Sequence, residues 1–273
     1  MSDRVTRSIS DGVADVRLNR PDKRNALDPA MFEALVDTGE SIAGDRSIRA
    51  VVLSGEGASF CAGLDFASFQ AMAEGTFAAE EDGAPRRAFS DAPAPAASLG
   101  QHAVHVWTSM PQPVIAAVHG HALGGGFQLA IGADLRYVTP DAQLSVLEVR
   151  WGLVPDMTGT QLLPRLVGLD VAKELTFTGR VVSGEEAVQL GLATRVTATP
   201  REDAFALAAD LAARSPEAVQ GAKRLLNMAG DVPLAAGFEE EWRLQRALLG
   251  GANNREAVAA YFEKRPARFA DPA

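Results

Sequence analysis

Apolar and polar positions alternate along Arg4 to Ser10 and again along Val13 to Leu18, with Asp11-Gly12 between them. A period of two turns one face of each stretch toward a core, and an Asp-Gly pair between two such runs favours a two-residue turn, so the pattern predicts a β-hairpin. Asp28 before Pro29 predicts the start of a helix that runs to about Ile42, because the carboxylate accepts from an orphan N–H while proline has none to satisfy. Ala50 to Ser54 and Val114 to Val118 are short apolar runs bounded by turn residues, the pattern of buried strands. Leu135 to Val138 is a further strand candidate. Ser183-Gly-Glu-Glu186 predicts a capping box opening a helix to about Leu190, and Ser215-Pro216 predicts the start of another. From Arg201 onward the pattern is mostly helical, with Phe238, Trp242 and Leu249 beside charged runs. Glu74 to Ser98 is rich in alanine, proline and acidic residues without periodicity, which predicts a mobile loop or a weak helix.

Glycine marks two positions where this pattern changes type. Val114 to Val118 leads through Gly124, Gly125 and Gly126 into a helix expected over Phe127 to Gly132, and Ala50 to Ser54 leads through Ser59-Phe-Cys-Ala-Gly-Leu-Asp65 into one expected from Phe66. Bare backbone N–H groups at a helix start favour anions. Two such turns could aim two N–H groups at one oxygen, the geometry of an oxyanion hole.

The formal net charge is -9, which argues against a nucleic-acid backbone as partner. Cys61 is the single cysteine, so no intramolecular disulfide can form. No apolar run is long enough for a signal or a membrane span, and a cytoplasmic protein is expected. His119-x-His121 and His102-x-x-His105 lack the companions of a metal site, so no metal is expected. Leu129 stands where a dinucleotide fingerprint needs its closing glycine, no Gly-x-Ser-x-Gly elbow exists, and Cys61 has no evident base. Glu148 lies among apolar neighbours in Leu144-Ser-Val-Leu-Glu-Val-Arg-Trp-Gly152. It is either a desolvated carboxylate with a raised pKa, suited to proton transfer, or an exposed glutamate paired with Arg150.

Phe60-Cys-Ala-Gly-Leu-Asp65, Gly120-x-Ala122-Leu-Gly-Gly-Gly126 and Gly159-Thr-Gln161 resemble, in this order, the landmarks of the crotonase superfamily, the enoyl-CoA hydratases and isomerases. Asn19-Arg-Pro21, Asn25-Ala-Leu27 and Phe262-Glu-Lys-Arg265 extend the resemblance over nearly the whole chain. It implies the crotonase α/β fold, with repeated β-β-α units and a helical C-terminal region. Residues 1–200 would form the core with the acyl-CoA site, and residues 201–273 a helical region that builds a homotrimer or a dimer of trimers.

The implied substrate is an acyl-CoA thioester, with coenzyme A as part of the substrate and no resident cofactor. The backbone N–H groups of Leu64 and Gly125 would hold the thioester carbonyl oxygen, and Glu148 would shuttle the proton. Gln128 stands where hydratases carry a second catalytic glutamate. An amide can hold a water but cannot take its proton, and losing one of two carboxylates should cost about 10²- to 10⁴-fold in hydration rate. Asp156 stands where the dienoyl-CoA isomerases carry an acidic residue, although those isomerases also keep an acid at the Gln128 position; the alternative is an aspartate capping the helix that begins near Thr158. For coenzyme A the resemblance points to Ala62, Leu64, Asp65 and Phe66, largely through backbone. Arg24 and, from a neighbouring subunit, Tyr261 and Lys264 would meet the phosphates. Double-bond isomerisation by Glu148 is therefore expected ahead of hydration. A non-catalytic acyl-CoA-binding protein is the alternative from another class.

Overall fold

The hairpin forms as expected: β1 (Val5–Ser10) and β2 (Val13–Leu18) pair antiparallel around Asp11 and Gly12, both at positive φ. The computed structural model describes residues 3–74 and 96–272. Asp28 accepts from the Met31 N–H at 2.9 Å and so caps α1 (Pro29–Ala43), and β3 (Ala50–Gly55) follows. After α2 (Phe66–Ala73), most of the loop expected at 74–98 lies outside the described residues. Its last residue opens α3 (Leu99–Ser109), a helix absent from the expected elements: Ser98 Oγ accepts from the Gln101 N–H, and the Gln101 side chain accepts from the Ser98 N–H.

β4 (Val114–Val118), β5 (His121–Leu123), α4 (Gly125–Gly132), β6 (Leu135–Val138) and β7 (Gln143–Ser145) come next. They are followed by α5 (Gly159–Val167), α6 (Leu169–Thr178), β8 (Val182–Ser183), α7 (Gly184–Gln189) and β9 (Arg195–Val196). The capping box expected at Ser183 is half made. Ser183 Oγ accepts from the Glu186 N–H, but the Glu186 carboxylate pairs with Arg180 instead of reaching back. The chain closes with α8 (Pro200–Ala212), α9 (Pro216–Met228), α10 (Leu234–Leu248) and α11 (Ala252–Glu263). Among the described residues no helix is long and apolar enough to cross a membrane.

Among the described residues six strands form one sheet in the order β1-β2-β3-β4-β6-β9, parallel except for the β1 edge, and β5-β7-β8 form a second, small sheet. Side chains alternate across the large sheet. Ala14, Val16, Leu18, Val51, Leu53, Val114, Ala116 and Val118 face a core shared with α1, α3 and α4, where Leu35, Trp107 and Phe127 are buried. Val13, Ala50, Val52, Ile115 and Ala117 face the other way, onto Ala204, Ala208 and Ala212 of α8. Burial on both faces explains why β3 and β4 read as continuous apolar runs. The i, i+4, i+8 alanines give α8 a flat stripe that lies close on the strands.

Candidate active site

The small sheet carries the chain from β4 into the glycine turn, and the loop before α2 runs beside it. Cys61 N–H donates to His121 O at 2.8 Å, and Leu123 N–H donates to Cys61 O at 3.1 Å. Two glycines make this approach possible. Gly63 has φ +90°, and a Cβ there would lie 2.6 Å from Leu123 O and 3.8 Å from Gly125 N. A Cβ on Gly126 would lie 2.3 Å from Cys61 O. Leu27 fastens the same loop on either side of Leu64, donating to Gly63 O at 2.8 Å and accepting from the Asp65 N–H at 2.9 Å.

Those bonds skip Leu64. Its N–H has no hydrogen-bond partner among the described residues, and neither has that of Gly125, the first residue of α4.

Glu148 begins a single 3₁₀ turn, Glu148–Trp151, that follows β7. It is buried and unpaired with the exposed Arg150, so the exposed alternative is set aside. Oε1 accepts from Gln128 Nε2 at 2.6 Å, while Oε2 is buried with no partner. The carboxylate reaches the glycine turn: a Cβ on Gly124 would lie 3.4 Å from Oε1. Burial raises the Glu148 pKa above the ordinary glutamate range, the Gln128 bond opposes the rise, and the charge of Asp156 adds to it.

With two unpartnered amides and a buried carboxylate gathered at one glycine turn, the comparison with known proteins is decisive. The pattern of the family described as enoyl-CoA hydratase/isomerase matches residues 8–272. The chain belongs to the enoyl-CoA hydratase/isomerase family. It is 37% identical over 264 residues to the mitochondrial Delta(3,5)-Delta(2,4)-dienoyl-CoA isomerase of Rattus norvegicus, covering 94% of this chain and 78% of that one. It is 34% identical over 268 residues to the mitochondrial enoyl-CoA hydratase domain-containing protein 2 of Homo sapiens, covering 94% and 85%. The crystal structure of enoyl-CoA hydratase from Bacillus anthracis superposes with a TM-score of 0.85 at 29% identity, covering 97% of this chain and 98% of that one. The crotonase fold implied by the sequence landmarks is thus the fold observed.

Within this family site Gln128 is engaged by the protein's own groups. It is wholly buried, its Oε1 accepts from the Met157 and Gly159 N–H groups at 2.9 Å each, and its Nε2 is given to Glu148. Asp156 does not cap α5. The N-cap is Thr158, without a side-chain bond. Asp156 stands at the rim, exposed yet crowded enough by protein for desolvation to raise its pKa.

The other expected contacts divide. Asp65 is buried, pairs with Arg20 and accepts from the Ala67 N–H at 2.8 Å. Burial pushes its pKa up, but the Ala67 bond and the guanidinium together leave it lowered, so its side chain is committed to holding the start of α2. The Ala62 N–H donates to Arg24 O, which places Arg24 beside the loop with its side chain exposed. Phe66 is 79% exposed at the head of α2. Tyr261 and Lys264, at the end of α11, are exposed, and Tyr261 lines a shallow cleft with Asp210 and Arg214 at the end of α8, behind the sheet. Among the described residues no hydrogen bond or ion pair joins them to Arg24.

Sequence reasoning missed the residues that fasten the loop. Arg20 holds Asp65, and the wholly buried Asn25 accepts from the Arg20 N–H at 2.8 Å and donates to Glu56 O at 2.9 Å and Ser59 O at 2.8 Å. Both lie inside the landmarks Asn19-Arg-Pro21 and Asn25-Ala-Leu27, the one signal that marked them. Cys61 is inert in this setting: its thiol donates to Asn25 O, and burial pushes its pKa up to about 12. Among the described residues no three metal-ligating side chains come together.

Proposed function

We propose that the protein shifts a carbon–carbon double bond in an acyl-CoA thioester by moving one proton. Leu64 N–H and Gly125 N–H donate to the thioester carbonyl oxygen, which makes the neighbouring C–H acidic and stabilises the enolate once the proton has left. Glu148 Oε2 takes that proton from the α carbon; the electron pair moves into the enolate, and the same proton returns at the γ carbon, leaving the double bond conjugated with the carbonyl. The observation that carries this reading is the buried Glu148 carboxylate, whose Oε1 lies against Gly124 and whose Oε2 has no hydrogen-bond partner among the described residues. For a dienoyl substrate Asp156 would serve the far end of the conjugated system.

The remaining roles rest on the family resemblance. Arg24 meets the coenzyme A phosphates near the loop, while Tyr261 and Lys264 would do so from a neighbouring subunit of a homotrimer or dimer of trimers. The exposed Leu234, Phe238 and Trp242 of α10 offer apolar surface for such an assembly. Coenzyme A is part of the substrate, and the proposed chemistry calls on no resident cofactor.

Hydration of 2-enoyl-CoA is the second reading, favoured by the likeness to the hydratase of known structure. The committed amide of Gln128 weighs against it, since it supplies no second base. Purified protein given 3-enoyl-CoA should form the conjugated 2-enoyl-CoA, seen by absorbance, and should hydrate 2-enoyl-CoA about 10²- to 10⁴-fold more slowly. Hydration as fast as isomerisation overturns the proposal. Absence of solvent deuterium uptake at the α carbon of a bound acyl-CoA would leave a binding protein without chemistry.

A further inference from the structure

We infer that Gln128 is a positioning residue, which ties Glu148 to the start of α5 and leaves that carboxylate one oxygen with which to meet substrate. The inference rests on Glu148 being the base. The amide has one workable orientation. Oε1 sits between two N–H donors, Met157 and Gly159, at 2.9 Å each, so a half-turn of the amide would set a nitrogen against both and an oxygen against a carboxylate. Nε2 must therefore face Glu148 Oε1, as it does at 2.6 Å. Gly159 makes room for this, since a Cβ there would lie 2.7 Å from Gln128 Oε1.

The position on α4 gives the tether its use. Gln128 N–H closes the first turn of that helix on Gly124 O at 3.0 Å. The same turn thus presents the Gly125 amide and holds the base, so the distance between oxygen donor and proton acceptor is set within four residues. A glutamate at this position would keep the two backbone bonds but bring a second carboxylate oxygen against Glu148 Oε1, and the two could stay 2.6 Å apart only by sharing a proton. The amide supplies a permanent donor instead and leaves Glu148 free to ionise.

Few charges complicate a test. α2 and α4 carry no ionisable side chain, and α5 carries none in its first turn. Arg150 lies on the Glu148 turn itself, and α6, packed against that turn, brings Asp170, Lys173 and Glu174; among the described residues Asp156 is the charged neighbour that raises the Glu148 pKa.

The experiment compares Gln128→Met and Gln128→Glu with the wild type in 3-enoyl-CoA isomerisation, reading kcat, KM and the pH dependence of kcat, with melting curves to confirm folding. Gln128→Met should lower kcat about 100-fold with little change in KM, because the base is no longer held in place. Its acidic limb should move to higher pH, because the lost N–H had favoured the carboxylate. Gln128→Glu should also fold, and its limb should rise by about one unit or more through the shared proton. Wild-type kcat and an unmoved limb in Gln128→Met would reduce Gln128 to packing and overturn the inference. If that variant does not fold, an unmoved limb in Gln128→Glu overturns it instead. Glu148→Gln separates the two levels: deuterium uptake that survives there sinks the base itself, whereas uptake lost there beside an unaffected Gln128→Met sinks only the tether.

Discussion

A methyl group on Gly126 would stand 2.3 Å from the carbonyl oxygen of Cys61, so the loop before α2 and the first turn of α4 meet backbone to backbone. That contact holds the segment that carries Leu64 against the one that carries Gly125. Gly126→Ala should force the two segments apart, lowering stability by about 1–3 kcal/mol in urea denaturation. It should also lower kcat by about 100-fold, since small displacements of aligned groups are costly. A variant with wild-type kcat would show that the approach of the two turns is irrelevant to turnover.

Burial of Glu148 makes a prediction about stability opposite in sign to that about activity. Its folded pKa lies above its unfolded value, so its contribution to stability is full below about pH 4.3 and is lost as pH rises through the raised value. Glu148→Gln should therefore melt higher than wild type near pH 7, with the gain disappearing near pH 4. Its isomerase activity should fall by about 10²- to 10⁴-fold. In the wild type, activity should be lost as pH falls through the raised pKa, because the base must be ionised.

Asp156 adds to that rise by its like charge. Asp156→Asn should shift the acidic limb of the 3-enoyl-CoA profile to lower pH. If Asp156 also serves the far end of a dienoyl substrate, the same variant should lose dienoyl isomerisation while keeping the simpler reaction. Equal loss on both substrates would mean that Asp156 acts only through the field it places on Glu148.

Lys223 tests the framework rather than the chemistry. It is buried, 2.7 Å from Asp134 Oδ2, and it donates to Gln112 O at 2.8 Å, joining α9 to the chain entering β4. Asp134 Oδ2 also accepts from the Val114 N–H at 2.7 Å. Lys223→Ala would leave the partly exposed Asp134 carboxylate without its cation and Gln112 O without its donor, lowering stability by about 1–3 kcal/mol in chemical denaturation, while activity per folded molecule is kept.

The parts of the fold legible in the sequence are those whose cause is local. Asp11-Gly12 turns a hairpin, Asp28 caps a helix, and the uninterrupted apolar run of β4 follows from burial on both faces. β5, β7, β8 and β9 went unread because strands of two or three residues carry no period, and they exist through pairing with distant partners. α3 has a full capping box, but its glycine- and histidine-containing sequence hid the helical period behind a proline-rich stretch. In the site, the desolvation of Glu148 was readable from its apolar neighbours. The engagement of Gln128 was not, since its acceptor bonds come from residues about thirty positions away.

The bonds that Met157 and Gly159 donate to a side chain, not to a preceding turn, leave a signature in solution. Amide protons at the start of a helix normally exchange quickly with solvent, but these two should exchange slowly for as long as Gln128 stays in place. They therefore provide a spectroscopic gauge of whether the base is held, readable on resting protein without any thioester present.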